Sequence, residues 1–481
     1  MTNFSTSDIQ QIESHGLTID TINKQLTDFQ NGFPYSNIVS ACIIGNGAFN
    51  YDDQMDKYID IYNHDCNKYR IVKFVPASGA ATRMFKDLFE YLSTGQINKT
   101  TQTVLDNIEK FAFWDDLKKI LPDAATDTDK IKYLVTEIGL DYGNKPKGLL
   151  QFHKYQNESR TAIAEHLIEG ALYARANDTV RIHFTVSPEH MNGFQELLDN
   201  LVPTYETKFG IKYEISMSTQ KKHTDTIAVN MDNTPFRNED GTLLFRPAGH
   251  GALIANLNDI DADIVFIKNI DNVCPDHMRA DTVTYKKLIG GILIDIKNKI
   301  FEYLHALDSG TADINEISKF VQDTLNITLH VTPTTDTLYA ILNRPIRICG
   351  IIKNTGAPGG GPFLVRDASG LISPQIVEPG QIAPEKISVL RDGEYFSPTD
   401  IACYIRDYRG CKFNLIEHVD ETTGFISTKS KNGRDLRAME RPGLWNGAMA
   451  KWNTIFVITP GTTFTPAKTI IDLITPDHLA K

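Results

Sequence analysis

The sequence has no apolar run long enough to cross a membrane. Its longest, Leu288–Ile296, is about half of the roughly 20 residues a spanning helix needs, and glycine and aspartate interrupt it. No basic stretch followed by an apolar core opens the chain at Met1–Asp8, so no secretory signal is read there. Cysteine is scarce: six in 481 residues, none in a C-x-x-C pair. That pattern points to free thiols in a reducing cytoplasm rather than to disulfides or a zinc site. Positive charge is not in excess. A formal net charge of −11 disfavours nucleic acid and anionic membrane as partners but leaves room for a local basic site. The chain also lacks G-x-S-x-G, H-E-x-x-H, the kinase set, the Walker loop and G-x-G-x-x-G, so no protein nucleophile constellation is visible.

What is present is globular. Hydrophobic residues make up 41% and charged residues 23%, and the length suggests two or three structural units. The pattern predicts a helical N-terminal extension over 1–70, with capping-box spacing at Ser7-Asp8-Ile9-Gln10. An α/β domain over 71–330 follows, with a helical insertion near 97–140, and then a β-rich region over 331–481. The strand Tyr69–Val75 leads through Pro76–Ala81 into a helix with Met84, Leu88 and Leu92 on one stripe. Strands expected at 180–186, 211–217, 226–229 and 264–270 alternate with helices at 161–172, 188–201 and 250–257. Alternation of this kind predicts a layered α/β fold around a mixed, mainly parallel sheet.

The loop after the first strand carries the strongest chemical signal. Small residues between a strand and a helix leave backbone N–H groups free to meet an anion. Ser78, Gly79, Ala80 and Thr82 allow close approach, and Arg83 adds a cationic fork. The competing reading is a tight turn packed with small residues. Lys145-Pro146-Lys147-Gly148 forms a second cationic spot. Asp271 ends an apolar strand on the edge where open α/β sheets place ligands. A carboxylate there suits Mg²⁺, which takes one or two carboxylates with phosphate oxygens and water; an Asp-Asn turn closing the strand is the alternative. Asp276 and His277 stand nearby. The glycine-rich loop Thr355–Pro362 reads as a flexible connection, one of Arg434, Arg437 and Arg441 could reach a phosphate, and Trp445 and Trp452 read as core.

Ala77-Ser78-Gly79-Ala80-Ala81-Thr82-Arg83-Met84, followed by Pro146-Lys147-Gly148-Leu149, resembles the signature of the nucleotide-diphospho-sugar transferase superfamily. Within it the chain resembles UDP-sugar pyrophosphorylases, especially the UDP-N-acetylhexosamine type, and most of all a bacterial family of unknown function. Further segments follow in family order. Gln220, Pro247–Leu253, Ile270-Asp271-Asn272, Cys349-Gly350 with Lys353, Glu378, and Leu444–Ala448 all fall in place between residues 71 and 450. Ser78 and Ala80 stand where the family has glycine, and His250 where it has asparagine.

The resemblance implies a three-layer, Rossmann-like fold and nucleotidyl transfer. A sugar 1-phosphate would attack the α-phosphate of a nucleoside triphosphate and release pyrophosphate. It also implies roles: Ser78, Gly79, Ala80, Thr82 and Arg83 on the triphosphate, Lys147 on the transferred phosphate, and Asp271 on Mg²⁺. Gln220, Gly249 and His250 would line the base, Asn272 would lie near the sugar and metal, and Lys353, Glu378 and Asn446 would face the sugar. A non-catalytic nucleotide-sugar binder on the same fold is the alternative from a different class. Glycosyl transfer is disfavoured because the Arg83 and Lys147 pair suits pyrophosphate.

Overall fold

A computed structural model describes residues 4–79, 81–329, 332–356 and 359–480. Ala80 of the predicted phosphate loop lies outside the described residues. The chain forms two compact units, each assembled from three separated stretches. The first holds 1–58, 220–263 and 289–459, and the second 59–219, 264–288 and 460–481. Boundaries near 70 and 330 do not describe this interleaving, because they assume that neighbours in sequence share a core.

The second unit is built on four strands, Ile264–Ile267, Ile71–Pro76, Thr179–Thr185 and Lys212–Ser218, joined in that order by parallel pairing. Ile71–Val75 and Ile264–Ile267 are buried throughout. A continuous apolar run is what a parallel strand covered on both faces requires. Helices Ala162–Tyr173 and Met191–Phe209 contribute Ile163, Leu167, Phe194 and Leu198 to the core. The predicted helical insertion is present as Lys99–Asp106, Trp114–Ile120 and Asp127–Val135. Its Val104, Leu117, Ile131 and Leu134 join the same core, so it is integral to the unit rather than an appendage.

The first unit carries the β-rich part. Strand Ile346–Lys353 pairs antiparallel with Tyr395–Tyr404 and parallel with Asn453–Ile458, which continues to Gly47–Phe49. A separate three-stranded sheet joins Asn37–Ala41, Gly361–Arg366 and Ile372–Val377. The N-terminal extension is therefore not purely helical: strands lie between the helices Ile19–Asn31 and Met55–Asp65. The first helix, Thr6–Ser14, is capped by Ser5 and not Ser7. Asp8 decides this: its carboxylate accepts from the Ser5 N–H at 2.9 Å and pairs with Arg237. Among the described residues no helix is long and apolar enough to cross a membrane.

Candidate functional site

In the second unit the chain after Pro146 makes a single 3₁₀ turn, Lys147–Leu149. Gly148 lets this turn sit against two helices. A Cβ there would lie 2.7 Å from Phe194 Cζ and 3.3 Å from Ile163 Cγ1. Gly148→Ala should therefore cost about 1–3 kcal/mol through overpacking. Urea unfolding would measure it, and an unchanged midpoint would show that Phe194 yields freely.

The turn aims Lys147 at the end of the strand Ile264–Ile267. Its Nζ donates to Asp271 Oδ2 at 2.7 Å and to the Ala467 carbonyl at 2.8 Å. The pair is partly exposed, 16% for Lys147 and 21% for Asp271, so solvent reaches both charges. The predicted phosphate loop is tied to the same place. The Ala81 N–H donates to the Lys145 carbonyl at 3.2 Å. Thr82 Oγ1 donates to the Gly143 carbonyl at 3.4 Å, and Ser187 Oγ donates to the Ser78 carbonyl at 3.0 Å. Gly79 and Arg83 are exposed. A Cβ at Gly79 would meet nothing within 4 Å, so packing does not demand glycine there. The helix expected directly behind the loop begins only at Lys86, after a 3₁₀ turn over Ala81–Arg83. The loop amides consequently do not form the first turn of that helix.

Beneath Asp271 lies a buried charge network that sequence reasoning missed. Lys73 Nζ reaches Glu169 Oε2 at 2.9 Å, and Lys268 Nζ reaches Glu169 Oε1 at 2.8 Å. All three side chains are at most 1% exposed. Burial pushes Lys73 down to about 8, against the opposing pull of Glu169. Burial raises Glu169, but the two ammonium groups outweigh it and hold the carboxylate well below its usual range. Burial, and then the Lys73 charge, hold His166 far down, so it is neutral. Its Nε2 lies 3.2 Å from the Ile270 carbonyl and thereby anchors the residue preceding Asp271. A lysine inside the run Ile71-Val72-Lys73-Phe74-Val75 was the available signal.

The C-terminal segment closes over this strand end. The Ala467 N–H donates to the Asp271 carbonyl at 3.0 Å, and the Thr465 N–H donates to Asn272 Oδ1 at 2.9 Å. Asn272 is 1% exposed, so the side chain expected near sugar and metal holds the C-terminal segment instead. The segment is pinned further along: His478 Nδ1 and His153 Nε2 are 2.9 Å apart, and His153 Nδ1 lies 2.8 Å from Glu165 Oε1. Asp276 is paired with Arg160 at 2.8 Å and with Arg279.

Burial, then the neighbouring His153, pulls His478 down to about 4. A histidine depressed on folding adds stability that is complete above its unfolded value near 6.5 and is lost as pH falls toward 4. The shift corresponds to roughly 3 kcal/mol. Hydrogen-exchange protection factors across 463–478, taken relative to the intrinsic rate at each pH, should therefore fall between pH 7 and pH 4.5 in the parent and change far less in His478→Gln. An equal fall in both would remove His478 as the cause.

The first unit collects its own predicted residues. Gly249, at φ +74, opens a 3₁₀ turn over Gly249–Leu253; a Cβ there would meet Glu440 Oε2 at 2.8 Å. His250 Nδ1 accepts from the Leu444 N–H at 2.9 Å, which leaves the proton on Nε2, 3.4 Å from Glu378 Oε1. The same carboxylate oxygen accepts from Trp445 Nε1 at 3.1 Å, and the Trp445 ring stacks on His250 at 4.0 Å and 12°. Burial raises Glu378, but these donors prevail and hold it below the usual carboxylate range. Trp445 is thus part of this polar cluster and only half-buried, whereas Trp452 is core, 2% exposed. Asn446 Nδ2 donates to Gln381 Oε1 at 2.8 Å. Gln220 turns its amide onto its own loop, 3.3 Å from Asp225 Oδ1. Lys353, exposed at its strand end, makes no ion pair among the described residues. Arg437 is engaged by Asn233 and the Phe29 carbonyl, and Arg434 lies over the Phe236 ring at 4.2 Å.

A carboxylate in the turn that follows a parallel strand, a small-residue loop and a lysine turn stand together in an α/β protein with the fold of the UDP-sugar pyrophosphorylases. The UDP-N-acetylglucosamine pyrophosphorylase of Trypanosoma brucei, solved with an inhibitor, superposes with a TM-score of 0.51 at 10% identity, over 98% of this chain and 79% of that one. A mutant UDP-glucose pyrophosphorylase of Leishmania major, solved with UDP-glucose, gives a TM-score of 0.48 at 12% identity, over 99% and 82%. The chain itself belongs to the family described as a domain of unknown function (DUF4301), whose model matches residues 5–479. No curated protein matches it in sequence.

Proposed function

We propose that the protein is a sugar-1-phosphate nucleotidyltransferase. The observation that carries this reading is the Lys147–Asp271 pair, 2.7 Å apart at the carboxyl end of a parallel strand, with the loop Ser78–Arg83 tied to the lysine turn. A phosphate oxygen of the sugar 1-phosphate forms a bond to the α-phosphorus, and the bond from that phosphorus to the bridging oxygen of the β-phosphate breaks. Pyrophosphate leaves with its electron pair. Positioning and charge neutralisation suffice for such a step, and no protein nucleophile is required.

In this reading Ser78, Gly79, Ala80, Thr82 and Arg83 hold the triphosphate, and Lys147 turns from Asp271 to the transferred phosphate. Asp271 is then released for Mg²⁺. Among the described residues no group of three His, Cys, Asp or Glu could hold a metal. Asp271 alone therefore fits a Mg²⁺ ion that arrives with phosphate ligands, not a resident one. The ion would neutralise charge on phosphate oxygens. The contacts expected at Gln220, Gly249, His250, Lys353, Glu378 and Asn446 stand as proposals for the first unit by itself. A cytoplasmic location belongs to the same proposal.

One observation favours the second reading, a nucleotide-sugar binder without turnover: Lys147 already has two partners, and the Ala81 amide already has one. Pyrophosphate release from a panel of nucleoside triphosphates and sugar 1-phosphates in Mg²⁺ buffer separates the two. Release supports transfer. Calorimetric binding without release leaves only the binder, and no binding of any nucleotide sinks both.

A further inference from the structure

Asparagine followed by glycine occurs at Asn31, Asn46, Asn192, Asn432 and Asn446. Glycine has no Cβ, so its amide nitrogen is the least hindered of any residue's. That nitrogen can reach the carboxamide carbon of the asparagine before it and displace ammonia. The reaction needs an amide nitrogen that is not engaged, access to water, and a backbone free to leave its ordinary angles. The fold denies at least one of these conditions to every pair except Asn432-Gly433.

The Gly32 N–H donates to the Asp28 carbonyl at 2.8 Å at a helix end. Gly47 is buried, and its N–H donates to Asn326 Oδ1 at 3.2 Å. Asn192 and Gly193 lie in the first turn of the helix Met191–Phe209, whose regular backbone angles keep the nitrogen turned from the side chain. Asn446 and Gly447 are both buried, and Asn446 Nδ2 is held by Gln381 Oε1 at 2.8 Å.

Asn432 and Gly433 differ in each respect. They form the tight turn between the strands Phe425–Lys431 and Arg434–Glu440, closed by the pair Lys431 and Arg434. Both have positive φ, +50 and +74. A hairpin turn of this hand selects Asn-Gly above other pairs, so the geometry that makes a good turn also supplies the labile sequence. Both residues are exposed. The Gly433 N–H donates to no group among the described residues. The two strands make a sheet of their own. The strand entering the turn has no buried residue, and the first buried residue on the strand leaving it is Leu436. The tip can therefore open without exposing the core. Among the described residues the Asn432 carboxamide has one contact, from Nδ2 to Glu239 Oε1 at 3.4 Å. Lys431 reaches Asn238 and Arg434 reaches the Arg237 carbonyl, and both ties flank the turn without engaging the Gly433 nitrogen.

We propose that Asn432 is a site of spontaneous covalent modification, its carboxamide converted to a carboxylate through attack by the Gly433 nitrogen. The bond from that nitrogen to Asn432 Cγ forms, and the Cγ–Nδ2 bond breaks. Nδ2 leaves as ammonia, taking the proton that the Gly433 nitrogen gives up, and a five-membered imide remains. Water then opens the imide at either carbonyl and leaves aspartate or isoaspartate. Either product replaces a donor to Glu239 with a second negative charge beside it. Isoaspartate also adds a methylene to the backbone, which this tight turn cannot hold in register. The inference goes beyond the proposed nucleotidyl transfer and does not depend on it.

Incubation of the full chain at pH 7 and pH 9, followed by peptide mass mapping, tests it. Asn432 should convert about tenfold or more faster than Asn31, Asn46, Asn192 and Asn446, because its turn opens without wider unfolding. Conversion should be faster at pH 9, since the attacking nitrogen must lose its proton. In urea the advantage of Asn432 should shrink to within about threefold, because every pair is then open. Asn432→Gln, whose longer side chain would have to close a six-membered ring, should show no conversion at this position and leave the other peptides unchanged. Three results overturn the proposal: no conversion at Asn432, an equal rate at another of the Asn-Gly pairs in the folded chain, or the same selectivity in urea.

Discussion

Lys147→Ala is expected to lower kcat/KM for pyrophosphate release by about 100- to 1000-fold, the range seen when one preorganised donor to developing negative charge is removed. The ammonium is a compact charge on a flexible stem. It is held by Asp271 and the Ala467 carbonyl, and Lys147 stands two residues beyond Lys145, whose carbonyl meets the Ala81 N–H of the loop it would serve. Its removal leaves Asp271 without its partner, but that carboxylate is 21% exposed and water compensates part of the loss. The variant should therefore stay folded, with an unfolding midpoint close to the parent's. Single-turnover kinetics with saturating nucleotide would separate binding from chemistry. A rate within about threefold of the parent would remove Lys147 from the phosphate-handling role.

The second large effect is on stability. Glu169→Gln should cost about 3–5 kcal/mol, because it leaves two ammonium groups in the interior with no counter-charge. Lys73 and Lys268 are 0% and 1% exposed, so water cannot take over. The pH dependence checks the cause. Lys73 is already pushed down to about 8, so the unfolded chain binds the proton more tightly and stability rises as pH climbs from about 8 toward the unfolded value near 10.5. Without Glu169 that depression deepens, and Glu169→Gln should recover stability more steeply than the parent between pH 7 and 9.5. Replacing all three residues by apolar ones of similar volume should be near neutral or stabilising. Urea unfolding at several pH values measures each case. A Glu169→Gln variant within about 1 kcal/mol of the parent would mean the lysines find other partners or water.

Much of the fold was legible along the chain. Tyr69–Val75 and 264–270 read as strands, and the buried strands observed, Ile71–Pro76 and Ile264–Ile267, fall within or beside them, because a parallel strand covered on both faces needs an unbroken apolar run. The helices of the insertion read from their spacing. The loop Ser78–Arg83, the lysine turn and Asp271 read as candidates because each motif is local and each sits at a strand or helix boundary. Several boundary readings shifted, two of them for plain local reasons. Asp8 drew the first N-cap to Ser5, and the helix behind the phosphate loop retreated to Lys86 because Ala81–Arg83 closes a tighter turn.

The partners of those residues were not legible. Lys147 finds Asp271 across 124 positions and the Ala467 carbonyl across 320. His153 finds His478 across 325. Thr463–Ala467 carries no motif, since a backbone carbonyl can come from any residue. Trp445 read as core because its composition is apolar, but its indole N–H needs an acceptor, and Glu378 supplies one only after Glu378 and Trp445 are brought to the same place. By itself the sequence determined the class of fold, the strand-end loop and the identities of the charged residues, because periodicity and local spacing are written within a few turns of chain. Only the tertiary structure decided which charges neutralise one another and that Asn272 serves the C-terminal segment. Those outcomes depend on distance through space, and the interleaving of the two units separates that from distance along the chain.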